Sequence, residues 1–260
     1  MIKLGLQMYT VREQIKTYDD FISTLDKISA IGINLLQMGI PGFLTVTELK
    51  KILDGYGIRS DAVYFPSGGT KEQFDSALAN AAVLGTNLVQ TGSIPPEMCA
   101  TADGYKRFAE IINRDGEMFS AVGFKYIYHF HAFEFVNFGG IRGIDILLNE
   151  TDKNNLYFEP DVFWLTSAGT EPSHALKMFE GRTSWIHAKD YAIMQLEGIK
   201  ESIPFCFAPV GEGNLNWDGI INTAKEIGIE EFIIEQDFCS KDVFDSIKSS
   251  YDFLKNKLGG

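Results

Sequence analysis

The most constraining feature of this sequence is a repeated unit: an amphipathic stretch, a glycine, then a short apolar run. The unit recurs at Gly32, Gly57, Gly85, Gly123 and Gly228. Glycine suits the position after a helix because it adopts the left-handed conformation there without steric cost. The apolar runs span 2–8, 33–38, 58–65, 86–91, 124–130, 156–161, 184–190 and 231–237. Stretches of helical character span 18–30, 46–56, 71–84, 103–122, 143–150, 173–179, 217–227 and 241–258. Strands alternating with helices give a parallel sheet covered by crossover helices. Eight units in 260 residues match one α/β domain over 1–260, a (β/α)8 TIM barrel, whose usual size is about 250 residues. An open doubly wound sheet is the alternative. The longest irregular stretch, 191–216, is predicted to form a functional loop such as a lid.

Charge narrows the partners. With 35 acidic against 23 basic residues, the net charge is −12, and no Lys/Arg cluster offsets it. Such a chain repels polyanions, so no nucleic-acid partner is expected. Cys99, Cys206 and Cys239 are odd in number and far apart, which argues against disulfides and thiolate zinc. The opening MIKLGLQMYT turns polar too soon for a signal peptide, and no apolar stretch reaches the roughly 20 residues of a membrane span. A cytoplasmic protein with no membrane partner is the expectation.

Barrels of this kind carry their chemistry at the C-terminal strand ends. Here those ends supply Gln7 and Tyr9 with Arg12 beyond, Gln37, Gln90, and His129 and His131 with Glu134 beyond. The later strands supply Glu159 and Asp161 with Trp164 beyond, His187, Lys189 and Asp190, and Glu235, Gln236 and Asp237. The remaining histidine, His174, falls in a helix and is expected at the surface. Carboxylates mixed with imidazoles suit one divalent cation: Mn²⁺, Zn²⁺, Co²⁺ or Mg²⁺. Strand alternation puts His129 with His131, and His187 with Lys189, on common faces. Lys189 reads either as a pocket residue or as an ion-pair partner of Asp161 or Glu235. Arg12 reads as an anion binder or a surface residue. Trp164 and Phe130 read as pocket walls or as packing. The GEG of 211–213 lacks the spacing of a phosphate-binding loop.

The segments GLQMYTVRE (5–13), YHFHAFEF (128–135), FEPDVFWLTSAGTEP (158–172), IHAKDY (186–191), APVGEGNLNW (208–217) and IIEQD (233–237) occur in this order. Together they resemble the xylose isomerase-like TIM barrels of the sugar phosphate isomerase/epimerase superfamily, in the branch with an H-N-H-x-F-E-F strand end. The resemblance implies a single metal held by Glu, Asp, His and Glu from the last four strands: Glu134, Asp161, His187 and Glu235. His129 is the rival for the first position. Phe130 stands where the branch carries Asn, and Gln37 where many relatives carry Glu.

The activity so implied is isomerisation or epimerisation of a keto-sugar through a metal-stabilised enediolate. Glu134 and Glu235 would exchange a proton on opposite faces of the substrate carbon. His129 and His131 are the alternative acid/base groups, and Lys189 joins the catalytic candidates. The lyase alternative is a dehydratase on an inosose-like or 3-keto-glycoside substrate. Tyr9, Arg12, Trp164 and Glu212 are the expected substrate contacts, and a homo-oligomer is a possibility. An abasic-site endonuclease of the superfamily fits poorly with four histidines and net charge −12.

Overall fold

The apolar runs pair side by side in chain order, as crossover helices require. The structure, a computed structural model, describes residues 2–193 and 205–259. Its strands are β1 (Lys3–Gln7), β2 (Leu35–Gln37), β3 (Arg59–Ser60), β4 (Val63–Tyr64), β5 (Leu88–Thr91) and β6 (Lys125–His129). They continue with β7 (Leu156–Glu159), β8 (Trp185–Ala188), β9 (Asp190–Ile193), β10 (Phe205–Ala208) and β11 (Glu231–Ile234). One parallel sheet runs β3-β2-β1-β11-β8 and another runs β4-β5-β6-β7. β3 and β4 are two halves of one stave, interrupted at Asp61 and Ala62, where the sequence pattern predicts a continuous strand. β1 pairs with β11, and a bridge between Asp161 and His187 joins β7 to β8. The circle therefore closes into the (β/α)8 barrel, and the open-sheet alternative is excluded.

The covering helices are α1 (Tyr18–Ile31), α2 (Val46–Gly55), α3 (Lys71–Leu84), α4 (Ala102–Ser120) and α5 (Gly143–Glu150). After these come α6 (Val162–Ser167), α7 (Pro172–Ala175), α8 (Trp217–Glu226) and α9 (Val243–Leu258). Thr17, Thr45 and Thr70 cap α1, α2 and α3 by accepting from the backbone N–H groups that a helix start leaves free. Gly32 and Gly85 close α1 and α3 in the left-handed conformation, at φ 98° and 78°. The sequence pattern misses α6, which is too short to show a period.

Strand alternation separates two interiors. Tyr126 and Tyr128 of β6 face the helix layer, where Tyr126 stacks on Phe119 and Tyr128 meets Phe108 edge-on. Ile127 faces inward and packs with Ala62, Leu88 and Trp185 as a small second core. Two residues further along the strands, the same face carries Gln90, His129 and His187, so the inside turns from apolar to polar toward the C-terminal ends. None of the described helices is long and apolar enough to cross a membrane.

The lid expected over 191–216 falls partly on residues 194–204, which lie outside the described residues. At its start, β9 and β10 form an antiparallel hairpin. At its end, the buried Asp190 carboxylate accepts from the N–H groups of Gly211 (2.8 Å) and Gly213 (3.2 Å) and from Trp217 Nε1 (2.7 Å). A Cβ on Gly213 would lie 2.3 Å from Asp190 Oδ1, so this glycine serves close approach of the loop rather than a phosphate.

Candidate active site

β6, β7, β8 and β11 each carry, at or just past their C-terminal ends, two residues spaced i, i+2: His129/His131, Glu159/Asp161, His187/Lys189 and Glu235/Asp237. Asp161 is placed by its own cap. Its Oδ1 accepts from Phe163 N (2.8 Å) and Trp164 N (3.2 Å), which starts α6 and leaves Oδ2 turned to the cluster. His187 is placed by the bridge to Asp161 and by its backbone N–H donating to Pro160 O at 2.9 Å. Glu235 follows β11, with its N–H on Ala188 O at 3.2 Å.

His129, Asp161, His187 and Glu235 each bring one ligand atom into a group whose atoms lie within 4.8 Å of one another, and all four residues are buried. Among the described residues, Asp161 Oδ2, His187 Nδ1 and Glu235 Oε2 make no aligned hydrogen bond although buried; their close neighbours are one another and the Lys189 ammonium. Two imidazoles and two carboxylates converging on one buried point form a donor set that a divalent cation would satisfy. Nitrogen and oxygen donors of this kind fit Zn²⁺, Mn²⁺ or Co²⁺. The residues present therefore fit a single divalent cation.

Lys189 joins both of its sequence readings. Its Nζ lies 3.2 Å from Asp161 Oδ2, 2.9 Å from Glu235 Oε2 and 3.1 Å from Asp237 Oδ1. It also lines a cavity of about 460 Å³ with Gln7, Tyr9, His131, Trp164 and His187.

The charges are strongly coupled. Burial opposes the Lys189 ammonium, but Asp161, Glu235 and Asp237 outweigh it and hold its pKa above the usual lysine range. Burial likewise opposes an imidazolium at His187, but Glu159 and Glu235 raise its pKa well above the ordinary value. Burial pushes the Asp161 carboxyl up to about 6 against the pull of Lys189 and His187. Burial would raise Glu235 too, yet Lys189 and His187 carry it well below the carboxylate range. Burial lowers His129 well below its ordinary value and brings His131 down to about 4, with neighbouring positive charges adding to both.

Several expectations need correction. Glu134 does not join the cluster. Its carboxylate accepts from Tyr128 Oη and from His131 N (2.9 Å), on the helix-facing side of β6. The cause is a local cap: Glu134 closes the short 3-10 turn Ala132–Phe135 back onto His131. His129, its rival, occupies the inward position. Glu212 also lies outside the cavity, bound to Lys241 at 2.8 Å and to Ser249 on the surface. Phe130 is not a pocket wall; it is buried against Phe179, with ring centroids 5.1 Å apart, on the helix side.

Tyr9 and Trp164 line the cavity. Arg12 lies beside it. Its guanidinium covers the Tyr9 ring at 4.2 Å and donates to Asp237 O at 2.8 Å, so it braces the mouth. His174 is exposed. Sequence reasoning assigned no role to Glu159 or Asp237; the signal was their i, i+2 spacing from Asp161 and Glu235.

A profile of the family described as xylose isomerase-like TIM barrel matches residues 25–257. An inosose dehydratase of Clostridium beijerinckii is 26% identical over 270 residues, covering 92% of this chain and 90% of its own. A sugar phosphate isomerase/epimerase of Parabacteroides distasonis superposes with a TM-score of 0.79 at 23% identity, covering 98% of this chain and 93% of its own. A xylose isomerase-like TIM barrel protein of Mycobacterium smegmatis, in complex with magnesium, superposes with a TM-score of 0.73 at 15% identity, covering 99% and 97%. With the profile covering most of its length and the barrel closed around the cluster, this chain belongs to the xylose isomerase-like TIM barrel family.

Proposed function

We propose that this protein is a divalent-cation-dependent lyase that dehydrates a keto-polyol of the inosose type. The observation that carries the reading is that His131 and Lys189 line the same cavity while Glu134 is turned away. An epimerase that exchanges a proton between two glutamates needs both on the cavity, and only Glu235 is there. The expected isomerase/epimerase activity loses one of its two acid/base groups by this placement.

His129, Asp161, His187 and Glu235 would hold the cation, which would supply Lewis-acid stabilisation of negative charge on a carbonyl oxygen. The chain's own residues supply the proton transfers. Burial holds the His131 pKa down to about 4, which favours the neutral ring, and its Nδ1 has no partner among the described residues. It can take the proton from the carbon next to the carbonyl. Lys189 carries a proton and can hand it to the departing β-hydroxyl. One C–H and one C–O bond break, one C=C bond forms and water leaves, with no net redox change. Trp164 Nε1, also buried and without a partner among the described residues, can hold a substrate hydroxyl. The inosose dehydratase relative supports the same substrate class.

The test is incubation of the Mn²⁺-loaded protein with 2-keto-myo-inositol in D₂O. The expected result is a product lighter by one water with rising ultraviolet absorbance from the conjugated carbonyl. Deuterium in recovered ketose or its isomer, with no loss of water, would return the reading to isomerase or epimerase.

A further inference from the structure

The ligand cluster stands on a second layer of side chains that the proposed reaction does not use. Glu159 is fully buried inside the barrel, in register with His129 of the neighbouring strand. Its Oε1 accepts from Gln37 Nε2 at 2.8 Å, and its Oε2 accepts from Gln90 Nε2. A carboxylate facing Gln37 settles which way that amide points: the NH₂ group must face Glu159. Gln37 Oε1 is then left to Gln7 Nε2 (2.6 Å) and to His187 Nε2 (2.7 Å). Glu159 Oε2 itself lies 3.2 Å from the same His187 nitrogen. His187 Nε2 thus sees two acceptors. Its Nδ1, on the far edge of the ring, faces Glu235 Oε2 at 2.9 Å and Asp161 Oδ2 at 3.9 Å.

We infer that Glu159, acting with Gln37, is a positioning residue that keeps the His187 proton on Nε2 and so presents the Nδ1 lone pair to the cation. The inference rests on the cation reading above. Hydrogen bonding of the second ring nitrogen is a general way to fix a ligating imidazole and raise its basicity, and its loss costs about 10- to 100-fold in metal affinity. It also explains why an amide suits position 37. An amide there can donate to Glu159 and accept from His187 at once.

The experiment compares wild type, Glu159→Gln and Gln37→Met. Zn²⁺ affinity is measured by competition with a chromophoric chelator. The protonated nitrogen of His187 is read by long-range ¹H–¹⁵N correlation of the Zn²⁺-loaded, ¹⁵N-histidine protein. The thermal midpoint of each metal-free protein reports the fold. The expected result is about a 10- to 100-fold weaker Zn²⁺ affinity for Glu159→Gln. A smaller loss is expected for Gln37→Met, each metal-free variant should still unfold cooperatively above the temperature of the affinity measurement, and wild-type His187 should be protonated at Nε2. Wild-type affinity in both variants, or a wild-type His187 protonated at Nδ1, overturns the inference while leaving the cation site standing. Failure of the wild type itself to bind Zn²⁺, Mn²⁺ or Co²⁺ overturns the cation reading and this inference with it. If one variant unfolds, the other and the wild-type spectrum still decide.

Discussion

Asp161 and His187 are bridge partners across the seam between β7 and β8, with Asp161 Oδ2 3.9 Å from His187 Nδ1. The contact that closes the barrel therefore also brings together two of the four candidate ligands. Asp161 serves twice, because its other oxygen caps α6. The two duties separate by substitution. Asp161→Asn keeps a capping oxygen and is expected to lose bound metal while folding normally. Asp161→Ala is expected to lose the metal and about a further 1 kcal/mol of stability. Metal content by elemental analysis, alongside thermal unfolding of the metal-free proteins, checks both.

Glu134 and His129 make opposite predictions for metal content. Glu134→Gln is expected to bind metal like wild type, since that carboxylate engages Tyr128 and His131 instead. His129→Leu is expected to lose most of it. Loss of metal in the Glu134 variant with retention in the His129 variant would reverse the ligand assignment.

Lys189 competes with the cation for Asp161 and Glu235. Lys189→Met should therefore abolish turnover while tightening metal binding. The metal-free variant should be destabilised by about 3–5 kcal/mol, because buried carboxylates lose their counter-charge. Titration with Zn²⁺, followed by unfolding of the metal-free and loaded forms, reads all of this.

Inside the barrel, burial and then the charges of Glu231 and Glu159 push the Asp61 carboxyl up to about 8. A carboxyl whose pKa is higher in the folded than in the unfolded chain stabilises the fold when protonated. That contribution is complete below its unfolded pKa of about 4 and is lost as pH rises through about 8. Asp61→Asn should therefore gain thermal stability over wild type progressively between about pH 4 and 8. A difference in melting temperature that does not change with pH would contradict this assignment.

Metal removal should lower the melting temperature, because a ligand that binds only the folded chain stabilises it. At a free concentration 100 times the dissociation constant the effect is about 2.7 kcal/mol. Dialysis against chelator, then restoration by Mn²⁺ or Zn²⁺ but not by Ca²⁺, is the expected pattern in a thermal-shift assay. Calcium prefers an all-oxygen shell and is poorly served by two imidazoles.

The barrel was readable from the chain because its cause is local and repeated. Helix-ending glycines such as Gly32 and Gly85 and apolar runs of strand length each report on their own few residues, and their repetition implies the parallel sheet. Alternation along one strand likewise placed His187 with Lys189 and His129 with His131. What local pattern does not contain is which partner a side chain finds. Glu134 stands within a motif that resembles a ligand-bearing strand end, yet a three-residue cap and the Tyr128 hydroxyl turn it to the helix layer. Glu159 gained its place only when Gln37, Gln90 and His187 converged on it from three other staves, with His187 and Gln37 150 positions apart in the chain. Such contacts depend on closure of the sheet and on the exclusion of water from its interior. That is why strands and helices follow from residue order, while the ligand set and the layer beneath it follow from the closed barrel.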